Sequence, residues 1–314
     1  MTSSISTLTK ALPPETIEFG KVLKRRVSGD SVLKYFIYVP KNRSTCPSQF
    51  VSVHGISRNA REHAERFASL AEQYGVVLVA PIFSRRHFGD YQRLGREGRG
   101  RRADHALQSI TEEVEYLTGA NSRKIFLTGF SGGGQFAHRY TLAYPDRVQR
   151  LAIGAAGWYS YPDESRRFPY GIAPAPGLKG VDFDMRKFLH VPTAVFVGQW
   201  DIMYDPGLNQ SSKICRQQGF TRLERGRRWV DAMNRVAMKY NMDTSYEFAI
   251  IPGVGHDFNR AMENGQLGRH IFNYLFSILT DRYLPDRACP AGDKHRFGSD
   301  WKPPITGLPT EFFP

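Results

Sequence analysis

A chain of 314 residues, 41% of them apolar, is long enough to bury a full core as one large α/β domain. No apolar run approaches a membrane span, and the three cysteines (Cys46, Cys215, Cys289) lie too far apart for a disulfide framework or a metal-ligand spacing. The net charge of +13 comes without a helix-turn-helix, zinc finger or other nucleic-acid module, which argues against nucleic acid and leaves an anionic substrate or surface, or a solvated basic face.

The Ser/Thr-rich start has no unbroken hydrophobic segment, so residues 1–15 read as a flexible lead-in and the reducing cytoplasm as the default location. Thr16 to Phe19 and Val32 to Val39 form β-like runs around a Gly29-Asp30 turn, which predicts a leading hairpin. Gln49 to Val53 is an apolar strand that ends in His54-Gly55-Ile56-Ser57. Ala64, Phe67, Ala68 and Ala71 keep helical spacing until Gly75 stops the helix. Val76 to Ala80 reads as a buried parallel strand closed by Pro81. A loop follows with seven arginines between Arg85 and Arg102, against only Asp90 and Glu97, and then a helix from Ala103 to Leu117.

Lys124 to Leu127 is a strand that breaks into Gly129-Phe130-Ser131-Gly132-Gly133, with a helix over Gln135 to Ala143. After a strand at Leu151 to Ala156, residues 157–191 break the rhythm with aromatic residues set among prolines, where a lid insertion is expected. Thr193 to Val197 resumes the strands, and residues 206–228 form a polar, basic insertion before a helix from Trp229 to Tyr240. Tyr246 to Ile251 is the last strand, Phe258 to Leu279 the last helix, and 281–314 a Pro-rich extension. Strands alternating with helices imply one α/β domain over 16–280 with a mainly parallel, doubly wound sheet. Its ligand site should lie off the carboxyl ends of the strands.

The Gly-x-Ser-x-Gly stretch has the pattern of a nucleophile elbow, a serine on a sharp strand-to-helix turn. The turn strains the serine backbone and crowds the positions two before and two after it, hence Gly129 and Gly133. The helix that begins there aims free N–H groups at a developing oxyanion. The competing reading is a glycine-rich turn with an idle serine.

A nucleophile at Ser131 needs an acid and then a histidine, each on a loop after a later strand. Gly198-Gln199-Trp200-Asp201 and Gly255-His256-Asp257 meet that order. The assignment is Ser131 as nucleophile, His256 as base and Asp201 as the acid that orients it, with Asp205 the rival acid. Asp257 adjoins the histidine too closely to reach its ring, and His138 reads as a packed helix residue. The oxyanion hole should combine the N–H groups of Gly132 and Ile56, with His54 structural beneath them. Trp158, Tyr159 and Trp200 are expected to line the substrate pocket, unless they are core.

His54-Gly55, Gly129-Phe130-Ser131-Gly132-Gly133, Gly198-Gln199-Trp200-Asp201 and Gly255-His256-Asp257-Phe258 resemble the four signatures of the α/β-hydrolase superfamily. Over residues 30–280 the chain is most similar to the branch of poly(3-hydroxybutyrate) depolymerases and feruloyl esterases. Two features depart from that branch: many of its enzymes are secreted and disulfide-bonded, and the 85–102 arginine loop is not among its signatures. The resemblance implies an α/β-hydrolase fold and a serine esterase that needs neither metal nor organic cofactor. The substrate does not carry over from the branch: it is read as a small-molecule or oligomeric ester, and the arginines of the 85–102 loop favour one that bears a carboxylate or phosphate. The same triad would also serve an acyltransferase or a peptidase, and an inactive member of the fold could bind anionic partners.

Overall fold

The structure, a computed structural model, describes residues 17–203, 205–244 and 246–281. The expected lead-in and all but the first residue of the Pro-rich extension lie outside them. Eight strands form one sheet: β1 (Val22–Arg26), β2 (Lys34–Tyr38), β3 (Ser48–Val53), β4 (Val77–Ile82), β5 (Asn121–Phe130), β6 (Val148–Gly154), β7 (Thr193–Gly198) and β8 (Glu247–Ile251). Their spatial order is β1-β2-β4-β3-β5-β6-β7-β8. The first two strands pair antiparallel, β2 pairs antiparallel with β4, and every other neighbour is parallel. The parallel strands need crossovers, which the helices supply.

Those helices are α1 (Ala60–Tyr74), α2 (Ala103–Thr118), α3 (Gly132–Ala143), α4 (Met185–Leu189), α5 (Ser212–Gln218), α6 (Arg222–Lys239), α7 (Phe258–Glu263) and α8 (Leu267–Asp281). Alternation along each strand divides the core in two. Val51, Leu127, Ile153 and Val195 face α2, α3 and α6 through Leu107, Phe136 and Trp229. Phe50, Phe126, Ala152 and Phe196 face α1 and α8 through Phe67, Phe272 and Phe276. Both faces are covered, so the central strands read as continuous apolar runs.

Four expectations are corrected. The first hairpin arm is Val22–Arg26, and the expected run from Thr16 to Phe19, whose first residue lies outside the described residues, precedes it; the Lys and Arg residues of β1 suit a sheet edge, where charge discourages further pairing. The helix expected from Trp229 begins at Arg222, inside the 206–228 insertion. Thr221 and Glu224 form a capping box, which starts α6 at Arg222 and leaves Arg222 and Arg225 buried. The single last helix is two, α7 and α8, because Gly265 lets the chain turn against Ile251 where a Cβ would lie 2.5 Å from that side chain. The arginine loop is not simply solvated: Arg93 and Arg96 pair with Asp90, Arg101 with Asp30 and Arg102 with Asp104. Its Phe88, Tyr91 and Leu94 are core residues.

Candidate active site

Ser131 stands between β5 and α3 with φ 55° and ψ −114°, a backbone region that a non-glycine residue occupies only under strain. Its amide donates to Gly154 O at 2.8 Å and its carbonyl accepts from Gln135 at 3.1 Å, so strand and helix both hold the turn. A Cβ on Gly129 would lie 2.3 Å from Gly133 C, and one on Gly133 would lie 1.9 Å from Val53 O. Close approach of backbones, more than φ, requires glycine at both positions.

The loops after β7 and β8 are hydrogen-bonded together. Gln199 N donates to Ile251 O and Trp200 N to Val254 O, each at 2.9 Å, and Gln199 Oε1 accepts from Gly253 N at 3.0 Å. This seam brings the acid and the histidine face to face. His256 Nδ1 lies 2.7 Å from Asp201 Oδ2, and Nε2 lies 2.9 Å from Ser131 Oγ. A carboxylate only accepts, so Nδ1 carries the proton and Nε2 is free to accept from the serine hydroxyl. The Phe130 ring stacks on the imidazole with centroids 5.2 Å apart. Asp201 is 3% exposed, out of competition with water.

The rival groups are engaged elsewhere. Asp205 accepts from Arg222 and from Gly207 N. Asp257 caps α7 by accepting from Arg260 N at 2.8 Å. His138 Nε2 accepts from Ser160 N at 3.0 Å, so its Nδ1–H donates to Gly134 O at 2.9 Å. His54 is held likewise, accepting from Phe83 N at 3.0 Å and donating to Gly55 O at 2.8 Å. Burial pushes His54 down to about 4, so it stays neutral beneath the loop that it shapes.

Gly132 and Ile56 lie side by side: a Cβ on Gly132 would be 3.0 Å from Ile56 Cγ2. Among the described residues neither amide donates to a backbone carbonyl. In front of Ser131 opens a cleft of about 310 Å³ lined by Ile56, Gln92, Arg93, Gln135, Trp158 and Arg222, and by residues 206–209 of the acid loop. Trp158 lines it. Tyr159 does not, and this expectation is corrected: it is fully buried, stacked on Trp229 with centroids 4.9 Å apart. Alternation along an extended segment sends neighbouring side chains to opposite sides. Trp200 is 54% exposed beside Asp201 and, against expectation, is not among the described residues that line the cleft.

Of the 157–191 segment, Gly157 and Trp158 line the cleft, while Tyr161, Phe168, Ile172 and Leu178 pack into the sheet's core. Gln92 and Gln135 went unread as cleft residues; Arg93 stood in the sequence as one of the seven arginines of the 85–102 loop, and Arg222 as part of the basic insertion, its helix announced by the Thr-x-x-Glu box. Among the described residues no group of three or more His, Cys, Asp or Glu side chains is placed to hold a metal, and no helix is long and apolar enough to cross a membrane.

No family model matches the chain. Over 118 residues it is 29% identical to feruloyl esterase B of Talaromyces funiculosus, a match that covers 36% of this chain and 33% of that enzyme. The chain spans less than half the length of the curated relatives it matches. Among solved structures, poly(aspartic acid) hydrolase-1 from Sphingomonas sp. KT-1 superposes with a TM-score of 0.70 at 22% identity, covering 81% of this chain and all of that one. The poly(3-hydroxybutyrate) depolymerase of Bordetella parapertussis superposes with a TM-score of 0.66 at 22% identity, covering 85% and 90%. The chain has the α/β-hydrolase fold. Within that fold, Ser131 ends the central strand β5, Asp201 and His256 follow β7 and β8, and the Ile56 loop follows β3, which pairs with β5. All four lie at carboxyl ends of strands, where an α/β sheet presents its ligand site. The curated relatives include feruloyl and acetylxylan esterases of Talaromyces, and a poly(3-hydroxybutyrate) depolymerase is among the structures that share the fold.

Proposed function

We propose that this protein is a serine hydrolase that cleaves carboxylic esters through an acyl-enzyme intermediate. One observation carries the reading: the hydrogen-bonded line from Ser131 Oγ through His256 to the buried Asp201. His256 Nε2 takes the hydroxyl proton as Oγ attacks the ester carbonyl, and Asp201 stabilises the imidazolium that forms. The N–H groups of Gly132 and Ile56, with the N-terminal end of α3 behind them, receive the tetrahedral oxyanion. The intermediate collapses as His256 protonates the leaving alcohol. Water then attacks the acyl-serine with His256 as base again, releasing the acid and restoring Ser131. The esterase names of the relatives support the reaction class.

The cleft suits a small ester or one end of an oligomeric one. Its wall favours an anionic substrate. Arg93 lines it and shares the single carboxylate of Asp90 with Arg96, while the guanidinium of Arg139 lies 4.2 Å from the ring of Trp158. Among the described residues no carboxylate lines the cleft. If so, kcat/KM for carboxylate-bearing esters should exceed that for neutral ones at low salt, and the gap should shrink as salt rises or in Arg93→Gln. Equal values at every salt concentration would remove the anionic preference.

The reaction class is tested by labelling with a fluorophosphonate probe and by hydrolysis of short-chain p-nitrophenyl esters. Wild type should label and turn over, and folded Ser131→Ala should do neither above background. Equal hydrolysis by both proteins would refute the assignment.

A further inference from the structure

Nucleophile, base, acid and oxyanion donors complete a serine hydrolase, and Arg222 is none of these. Yet its side chain, 4% exposed, touches the triad acid: Nη1 donates to Asp201 Oδ1 at 3.2 Å. The other oxygen of that carboxylate is the one that faces His256. Nη2 donates to Asp205 Oδ2, and Asp205 Oδ1 accepts from Gly207 N at 2.7 Å. One guanidinium therefore ties the acid to the loop that walls the cleft.

An arginine in this place raises an electrostatic problem. The imidazolium formed during the reaction is stabilised by net negative charge beside it, and a buried cation on Asp201 would cancel that charge. Asp205 restores it, since two carboxylates and one guanidinium leave a net charge of −1. Burial alone would raise the Asp205 carboxyl, but Arg222, the Gly207 amide and nearby His256 hold it below its ordinary range. Other titratable groups around the network are Arg225 and Tyr159, both buried, and Asp257, whose carboxylate is committed to the α7 cap. The Phe130 ring covers His256 without charge.

We propose that Arg222 and Asp205 are positioning residues that act through Asp201: they lock its carboxylate in the orientation that receives the imidazole, and together they set the charge that His256 feels. This rests on the triad reading given above.

The test is the acid limb of the kcat/KM–pH profile, which reports the free enzyme's base. Asp205→Asn keeps the shape but removes a negative charge, so the limb should move to lower pH. Arg222→Met leaves two carboxylates facing each other, so the limb should move to higher pH. Each shift should be about one pH unit, as expected of a unit charge at roughly 6–8 Å with an effective dielectric constant of roughly 20–40. Arg222→Lys keeps the charge without the two-armed grip, so its limb should stay in place while kcat falls about tenfold. A purely structural role would lower kcat without moving the two limbs in opposite directions.

An unmoved limb in Asp205→Asn, or shifts of the same sign in Asp205→Asn and Arg222→Met, would overturn the proposal. Should Arg222→Met melt below the assay temperature, the half-exposed, isosteric Asp205→Asn decides alone. A wild type that fails to label with fluorophosphonate rejects the triad itself, whereas a labelled, active wild type with unmoved limbs rejects only the role of Arg222 and Asp205.

Discussion

Gly133→Ala tests whether the elbow is built as described. The added methyl would sit 1.9 Å from Val53 O, 2.6 Å from Val53 C and 2.7 Å from His54 O. An ordinary C···O contact is about 3.3 Å, so a gap of about 1.4 Å must open between α3 and β3. Neither side yields easily: α3 is buried along its whole length, and β3 is paired with both β4 and β5. The methyl should cost roughly 2 kcal/mol in stability, or about 3–4 °C in melting temperature for a chain of this length. Movement of α3 carries Ser131 and Gly132 together, and movement of β3 carries the Ile56 loop, so the proposed nucleophile and the proposed donor on the Ile56 loop separate. A displacement of about 1 Å should lower kcat/KM on the order of 100-fold. The contrast is Gly255→Ala, whose Cβ would meet nothing nearer than Trp200 O at 3.6 Å; a loss within about threefold is expected there. The assay is p-nitrophenyl acetate turnover together with thermal melting. Wild-type rate and melting temperature in Gly133→Ala, or equal damage from both alanines, would refute the close-approach argument.

Asp201→Asn should lower kcat/KM about 10⁴-fold at pH 7, because an amide can hold the imidazole in the wrong tautomer and no longer offsets its charge; a loss below tenfold in ester turnover would point to another acid. Arg225 donates to Gly219 O at 2.9 Å, Gly157 O at 2.7 Å and Asn209 O at 2.8 Å, so Arg225→Met should strand buried carbonyls and cost roughly 2–4 kcal/mol in urea unfolding. Gly157 and Asn209 line the cleft, so KM should rise more than kcat falls. Burial pushes His54 down to about 4, and shifts His63 and His138 in the same direction. Between pH 6.5 and 4 the unfolded chain therefore binds protons that the native state refuses, so this stability is fully present above 6.5 and is lost as pH falls. From pH 7.5 to 5.5 the loss should be about 1.3 kcal/mol from His54, with His63 and His138 adding in the same direction, and urea midpoints that do not change over that window would count against the buried, neutral assignment.

Much of the site was readable as local pattern. The glycines around Ser131, the strand-then-loop form of Val195 to Asp201, and Pro252 to His256 each state their geometry within a few residues. The basic insertion 206–228 misled for the opposite reason. Composition cannot separate an arginine in water from one that satisfies carbonyls inside the fold, and Arg225 does the latter. The spacing did hold a clue: Arg222, Arg225, Trp229 and Met233 recur at helical intervals on the buried face of α6 once the Thr221 cap is counted. Tyr159 could not be told from Trp158 by type, since both are aromatic and follow the same strand.

From the chain of letters alone came the strand and helix order, the doubly wound sheet, and the three segments that carry Ser131, Asp201 and His256. These follow from side-chain periodicity and turn chemistry, which act over distances of a few residues. Folding in three dimensions selected which oxygen of Asp201 meets the imidazole, that Arg222 and Asp205 complete that contact, and that Arg93 and Gln92 stand in the cleft wall. Such meetings join residues from separate loops and helices, and burial of the two apolar faces of the sheet sets where those segments end up.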